Sequence, residues 1–105
     1  MQRNRELECL MLDYYGDLLT RHQRDILDEY FNEDLSMNEI AENYKVSKSA
    51  IQDLIKRSLN QLYDYEKTLK LIEIDHRLNG IINEMIQEDN DLLNKYVKKI
   101  QKTIR

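Results

Sequence analysis

Six polar side chains between positions 47 and 57 have the chemistry and the spacing to bind a polyanion along one side of a helix. Hydroxyl and amide groups exchange hydrogen bonds with base edges, whereas lysine and arginine pair with phosphates. Side chains four residues apart lie one above another on a helix. The six candidates are Ser47, Lys48, Ser49, Gln52, Lys56 and Arg57.

Within this set, the helix start is the part that would enter a major groove. We expect Lys48, Ser49 and Gln52 to lie nearest the base edges, and Lys56 and Arg57 to lie on phosphates. The alternative interpretation is a solvated helix face that serves only packing or the docking of a protein.

Two short helices and a tight turn must position these side chains. Ser36 and Glu39 have the spacing of a capping box, which starts a helix. Lys45 and Val46 form the predicted turn, at a position where a left-handed residue is common, and Ser47 caps the second helix. The pattern predicts a helix-turn-helix.

Apolar residues at helical spacing indicate how these two helices pack. Ala41 is small because the second helix crosses close above it, and Val46 is expected to plug the corner. The expected contacts of the first helix are Ile40, Ala41 and Tyr44, and the expected buried stripe of the second is Ala50, Ile51, Leu54 and Ile55.

Composition favours an all-α protein. The 105 residues include no proline and two glycines, so little interrupts a helix. No apolar run is long enough to span a bilayer, and no signal peptide is recognisable, so we expect a cytoplasmic protein without membrane insertion. Cys9 is the single cysteine, which excludes an internal disulfide.

The charge distribution bounds how the chain can bind a nucleic acid. The net charge is −4, whereas an indiscriminate polyanion binder would be basic. By thirds, the balance is −5 over residues 1–35, +1 over 36–70 and zero over 71–105. Contact with DNA or RNA must therefore be local, and pairing of two copies would strengthen it.

The segment before the helix-turn-helix predicts two more helices. The first is expected from Arg3 to Leu19, with a broad apolar face. A capping box of Thr20 and Gln23 opens the second, which is expected from Arg21 to about Asn32. Together with the helix-turn-helix these helices make a predicted domain over residues 1–66.

The remaining residues 67–105 predict a helical extension with dimerisation as its role. The pattern stays helical up to Asp89-Asn90-Asp91, and a last helix runs from Leu92 to Ile104 with a lysine-rich face. Tyr63, Tyr65 and Leu69 are expected to close the core around the first helix. An apolar seam consists of Leu71, Ile74, Leu78, Ile81 and Met85.

This seam needs a partner, because it exceeds what a small core can cover. We expect a homodimer; the alternative is that the seam folds back on the first helix of its own chain. Catalysis, a metal site and a cofactor are not expected. The sequence has no glycine-rich phosphate loop, no Cys/His ligand cluster and no nucleophile beside a base.

The chain resembles the bacterial YlxM family over about its first two-thirds. The resemblance lies in Leu18-Leu19-Thr20, Gln23-Arg24, Tyr30, Asp34, Ser36, Glu39-Ile40-Ala41-Glu42, Val46-Ser47, Ala50-Ile51, Asp53, Ile55-Lys56-Arg57, Leu62 and Tyr65-Glu66. Lys48 and Ser49 depart from the arginine and glutamine usual in the family. Asp53, as part of the pattern, is expected to pair with Lys56 or Arg57 one turn on.

That family is similar to the promoter-reading fourth region of sigma factors, extended by C-terminal helices. The resemblance implies a helix-turn-helix bundle of this type and a regulatory nucleic-acid-binding function in the signal recognition particle pathway. The alternative it implies is an accessory factor that binds the particle's GTPase or its RNA without reading DNA.

Overall fold

The computed structural model describes residues 4–88 and 90–104, which form two compact units: the residues up to Leu69, and those from Lys70 onward. The described residues contain helices and no strand, so the all-α prediction is confirmed. None of these helices is long and apolar enough to cross a bilayer. The helices are α1 Arg5–Tyr15, α2 Arg21–Phe31, α3 Met37–Tyr44, α4 Lys48–Leu69, α5 Leu71–Gln87 and α6 Asp91–Thr103.

Both predicted capping boxes are present. The Thr20 hydroxyl accepts from the Gln23 amide nitrogen at 3.2 Å, and the Gln23 side-chain oxygen accepts from the Thr20 amide at 3.0 Å. Ser36 and Glu39 make the same reciprocal pair, each at 3.1 Å. Because these bonds satisfy amides that have no partner inside the helix, they fix where α2 and α3 begin.

The first helix is shorter than predicted. It ends at Tyr15, and a 3₁₀ turn, Gly16–Leu18, takes the place of its expected last turn; the expected start at Arg3 lies outside the described residues. Gly16 is closely packed, since a Cβ there would lie 3.2 Å from Cζ of Arg24 and 3.3 Å from Cδ1 of Leu12. This tighter turn follows the end of α1, and five residues, 16–20, separate α1 from α2.

The core of the first unit lies around α4, which packs against α1, α2 and α3. Its completely buried apolar side chains are Met11, Leu12, Tyr15, Ile26, Leu27, Ile40, Ile51, Ile55 and Leu62. The predicted apolar face of α1 was too broad, because Leu10 and Leu18 are exposed. Because α1 packs against α4 and α2, one side of it is covered, and residues at the margin of that side stay in contact with water.

The prediction of a continuous helix beyond Leu62 is wrong, because the helix is interrupted at Lys70. Lys70 is left-handed, with φ 56° and ψ 30°, and separates α4 from α5 by one residue. Leu69, expected in the core, is 45% exposed. A lysine in the left-handed conformation costs about 1–2 kcal/mol. No glycine or proline at this position signals the end of the helix in the sequence. Tyr65 does pack as expected, with its ring centroid 6.0 Å from that of Tyr15.

The second unit is a hairpin in which α5 packs against α6. Asn90 caps α6 by accepting hydrogen bonds from the amides of Leu92 and Leu93 at 2.9 and 3.2 Å, which is the physical cause of the predicted break near Asn90. Asp89 lies outside the described residues. Ile82 from α5 and Val97 from α6 are buried in this unit.

Candidate nucleic-acid interface

The turn between α3 and α4 has the geometry that a helix-turn-helix requires. Lys45 is left-handed, with φ 56° and ψ 44°, and its amide donates to the carbonyl of Glu42 at 3.2 Å. The amide of Val46 donates to the carbonyl of Ala41 at 3.0 Å. These two bonds satisfy the last carbonyls of α3 and turn the chain directly into α4.

The contact between α3 and α4 confirms part of the predicted packing. Ala41 on α3 is 6% exposed and Ile51 on α4 is 2% exposed, so both predicted inner residues are buried. The helices α3 and α4 pack against each other, and buried apolar side chains on both stabilise this arrangement.

Two of the predicted inner positions are wrong. Val46 is 46% exposed, because the hydrogen bonds of the turn direct its side chain outward. Ala50 is also exposed. The buried stripe of α4 continues from Ile51 through Ile55 to Leu62, and a residue next to Ile51 in sequence lies about 100° around the helix from it.

All six candidate residues are exposed at the start of α4 or just before it. The Ser47 hydroxyl accepts from the Ala50 amide at 3.1 Å, so it serves as the predicted cap. Four side chains, those of Lys48, Ser49, Gln52 and Lys56, make no hydrogen bond or ion pair with other described residues. They are available for a ligand, and we call these four residues the α4 face.

Arg57, unlike Lys48 and Lys56, has an ion-pair partner within the described part of the chain. Its Nε lies 2.9 Å from Oδ2 of Asp53, one turn earlier on α4, as the sequence predicted. Both side chains are about two-thirds exposed, so the pair adds little stability. Its effect is electrostatic: it places a carboxylate among the cations and offsets the charge of Arg57.

A hydrogen bond between α2 and α3 holds the helix-turn-helix against the rest of the unit. The Tyr44 hydroxyl donates to Oε2 of Glu29 at 2.7 Å, and the ring of His22 meets the Tyr44 ring edge-on at 5.6 Å. Hydrogen bonding to the Glu29 carboxylate, together with burial, raises the pKa of Tyr44 to about 12. His22 is exposed on the first turn of α2.

Sequence reasoning missed an apolar cleft that adjoins the α4 face. It has a volume of about 670 Å³, with Ile55 and Leu59 on its floor and Gln52 and Lys56 on its lining. Glu8, only 1% exposed, also lines it, and Tyr63 donates a hydrogen bond to Glu8 at 3.3 Å. A glutamate in a predicted helix gives no sign of burial, so no pattern could have found it.

A metal site needs several donor side chains placed close together. No group of three or more His, Cys, Asp or Glu side chains among residues 4–88 and 90–104 is placed to hold a metal ion. The chemistry that the exposed groups can perform is hydrogen bonding and ion pairing with a polar surface.

Comparisons with known proteins agree with this architecture. A model of the UPF0122 family, described as "Putative helix-turn-helix protein, YlxM / p13 like", matches residues 1–104. A UPF0122 protein of Clostridium perfringens is 46% identical over 98 residues, which cover 91% of this chain and 88% of the relative. Another, from Desulforamulus reducens, is 35% identical over 107 residues, which cover 88% of this chain and 92% of the relative.

Proposed function

Because the chain belongs to the UPF0122 family of YlxM-like helix-turn-helix proteins, we propose that it is a regulatory protein that binds double-stranded DNA through the α4 face. The proposal places it in the cytoplasm, where its target would lie, and assigns it no catalytic step.

The α4 face carries this proposal. Lys48, Ser49, Gln52 and Lys56 are exposed together and make no hydrogen bond or ion pair with other described side chains. A serine and a glutamine can each donate to and accept from a base edge, and two lysines can each meet a phosphate. Because buried contacts hold α4 across α3, the four side chains are presented by a rigid element.

The shape of the element favours DNA over RNA as the target. The major groove of B-form DNA is about 12 Å wide and admits an α-helix. The major groove of A-form RNA is deep and narrow, which excludes a helix. The start of α4 is exposed on a helix of 22 residues, so its geometry suits the DNA groove.

We further propose that two copies bind together. One α4 face offers few cations, and the net charge of −4 opposes approach to a polyanion. A homodimer doubles the number of phosphate contacts within one site. Its target would consist of two half-sites related by the symmetry of the dimer.

A second candidate function is supported by the cleft beside the α4 face. An apolar floor of Ile55 and Leu59 suits a protein side chain better than a phosphate. An accessory factor that binds the signal recognition particle GTPase, or its RNA, would use this surface. This candidate predicts that the particle is recovered from a lysate and that duplex DNA is not selected.

The experiment is a selection of duplexes from a random DNA library, followed by gel shifts at several salt concentrations. The variant Lys48→Glu/Lys56→Glu should abolish the shift of the selected duplex while its circular dichroism spectrum stays unchanged. Lys67→Glu/Lys70→Glu is the matched control, because it reverses the same number of charges at exposed lysines on the last turn of α4 and just after it. A full shift by the double variant would refute the proposal.

A further inference from the structure

In the hairpin of α5 and α6, more large apolar side chains are exposed than buried. Among the described residues of the hairpin, Ile82 and Val97 are the buried ones, whereas Ile74 is 46% exposed and Ile81 is 53% exposed. A further side chain, Tyr96, is 47% exposed on α6. Two antiparallel helices with so little interior need a further layer, because helices gain most of their stability from the burial of an apolar face.

Helical spacing places these exposed side chains on one side of the hairpin. On α5, Ile74 and Ile81 are seven residues apart and lie to one side of the buried Ile82. On α6, Tyr96 lies to the same rotational side of the buried Val97. Because α5 and α6 run antiparallel, residues that lie on the same rotational side of the two buried residues point to the same side of the hairpin. The exposed apolar side chains of both helices therefore form one continuous apolar face. We call it the hairpin face.

We propose that the hairpin face is covered by the hairpin face of a second copy, with α5 of one protomer against α6 of the other. The four helices then form a bundle with a single two-fold axis. This inference rests on the homodimer of the proposed function and specifies its surface. Its test needs no nucleic acid, so a failure to dimerise and a failure to bind DNA are separate results.

The charges of the two helices favour a second copy of this chain as the partner, and they favour packing of α5 against α6 of that copy. Within its bounds, α5 carries three acidic residues and a single arginine, Arg77. By contrast, α6 carries four lysines and one acidic residue, Asp91. Placing α5 on α5 would bring like charges together, whereas placing α5 on α6 pairs opposite ones. Glu84 borders the hairpin face on α5, and Lys99 borders it on α6.

The first test is sedimentation equilibrium of the full chain, whose protomer mass is 12.7 kDa. The protein should sediment as a dimer, and Ile81→Glu should raise the dimer dissociation constant at least about tenfold by placing a charge in the interface. Asn83→Glu is the matched control, because Asn83 is exposed two residues away on the other side of α5. Ile81 is exposed in the protomer, so its variant should keep the helical circular dichroism signal.

The second test reverses one charge on each helix. Glu84→Lys and Lys99→Glu should each weaken the homodimer about twofold to fivefold, because each puts like charges across the interface. Mixing the two variants should restore dimers, since opposite charges then face each other in the mixed pair. Three results would each overturn the proposal: a dimer that Ile81→Glu leaves unaffected, a wild type that is monomeric at about 100 micromolar, or a mixture of the two charge variants that dimerises no better than either alone.

Discussion

The hydroxyl of Tyr44 on α3 donates a 2.7 Å hydrogen bond to the carboxylate of Glu29 on α2. The bond joins α3, the first helix of the helix-turn-helix, to α2, which precedes it. It thereby fixes the orientation of α3 and the direction in which the chain enters α4. Glu29 is not part of the α4 face, so this contact affects presentation of the face without touching a ligand.

Removing this hydroxyl should destabilise the protein in a pH-dependent way. Tyr44→Phe should lower the free energy of unfolding by about 1 kcal/mol at pH 7. Since the pKa of Tyr44 is raised from 10.0 to about 12, the stabilisation is fully present below pH 10 and is lost as the pH rises through 12. Urea titrations of both proteins at pH 7, 9 and 11 measure the gap, and a gap that widens above pH 10 would contradict this assignment.

Lys45 adopts a left-handed conformation that glycine adopts without strain. Lys45→Gly should therefore raise the free energy of unfolding by about 0.5–1 kcal/mol. Lys45→Ala is the control, because it removes the same charge and keeps the Cβ. Thermal unfolding of the three proteins should rank glycine highest, and equal stabilities for glycine and alanine would show that the turn carries no strain.

Local patterns predicted the helix-turn-helix because each of its signals acts over a few residues. The capping boxes, the cap at Ser47 and the pair of Asp53 with Arg57 all join residues three or four apart, and all are present. Such contacts depend on helical spacing alone, so the sequence contains the information needed to place them.

The errors arise where tertiary contacts decide. The left-handed break at Lys70 and the burial of Glu8 have no local sequence signal, and Glu8 is buried beside Tyr63, which lies 55 residues away in sequence. The candidate residues of the α4 face were predicted to be exposed and are, but the adjoining cleft needed α1 and α4 together. Whether the face binds a base edge depends on a ligand, which periodicity does not encode.

The corrected position of Val46 gives a direct stability test. Val46 was predicted to plug the corner and is 46% exposed, whereas Ile51 is 2% exposed. Ile51→Ala should therefore lower the free energy of unfolding by about 2–4 kcal/mol, and Val46→Ala by less than about 1 kcal/mol. Urea denaturation measures both, and a similar loss for the two variants would place Val46 back in the core.

Asp53 should weaken DNA binding because it is a carboxylate beside Arg57, at 2.9 Å from its Nε. Asp53→Asn removes one negative charge and frees the Arg57 guanidinium for a phosphate. The affinity for the selected duplex should therefore rise about threefold to tenfold, and the salt dependence of binding should steepen by about one phosphate contact. The exposed pair contributes at most about 1 kcal/mol, so stability should change little.

Gel shifts between 50 and about 200 mM salt measure both the affinity of Asp53→Asn and its salt dependence. The control is Asp64→Asn, an exposed site further along α4. Equal gains for the two variants would indicate a general charge effect, and no gain for Asp53→Asn would remove Arg57 from the interface.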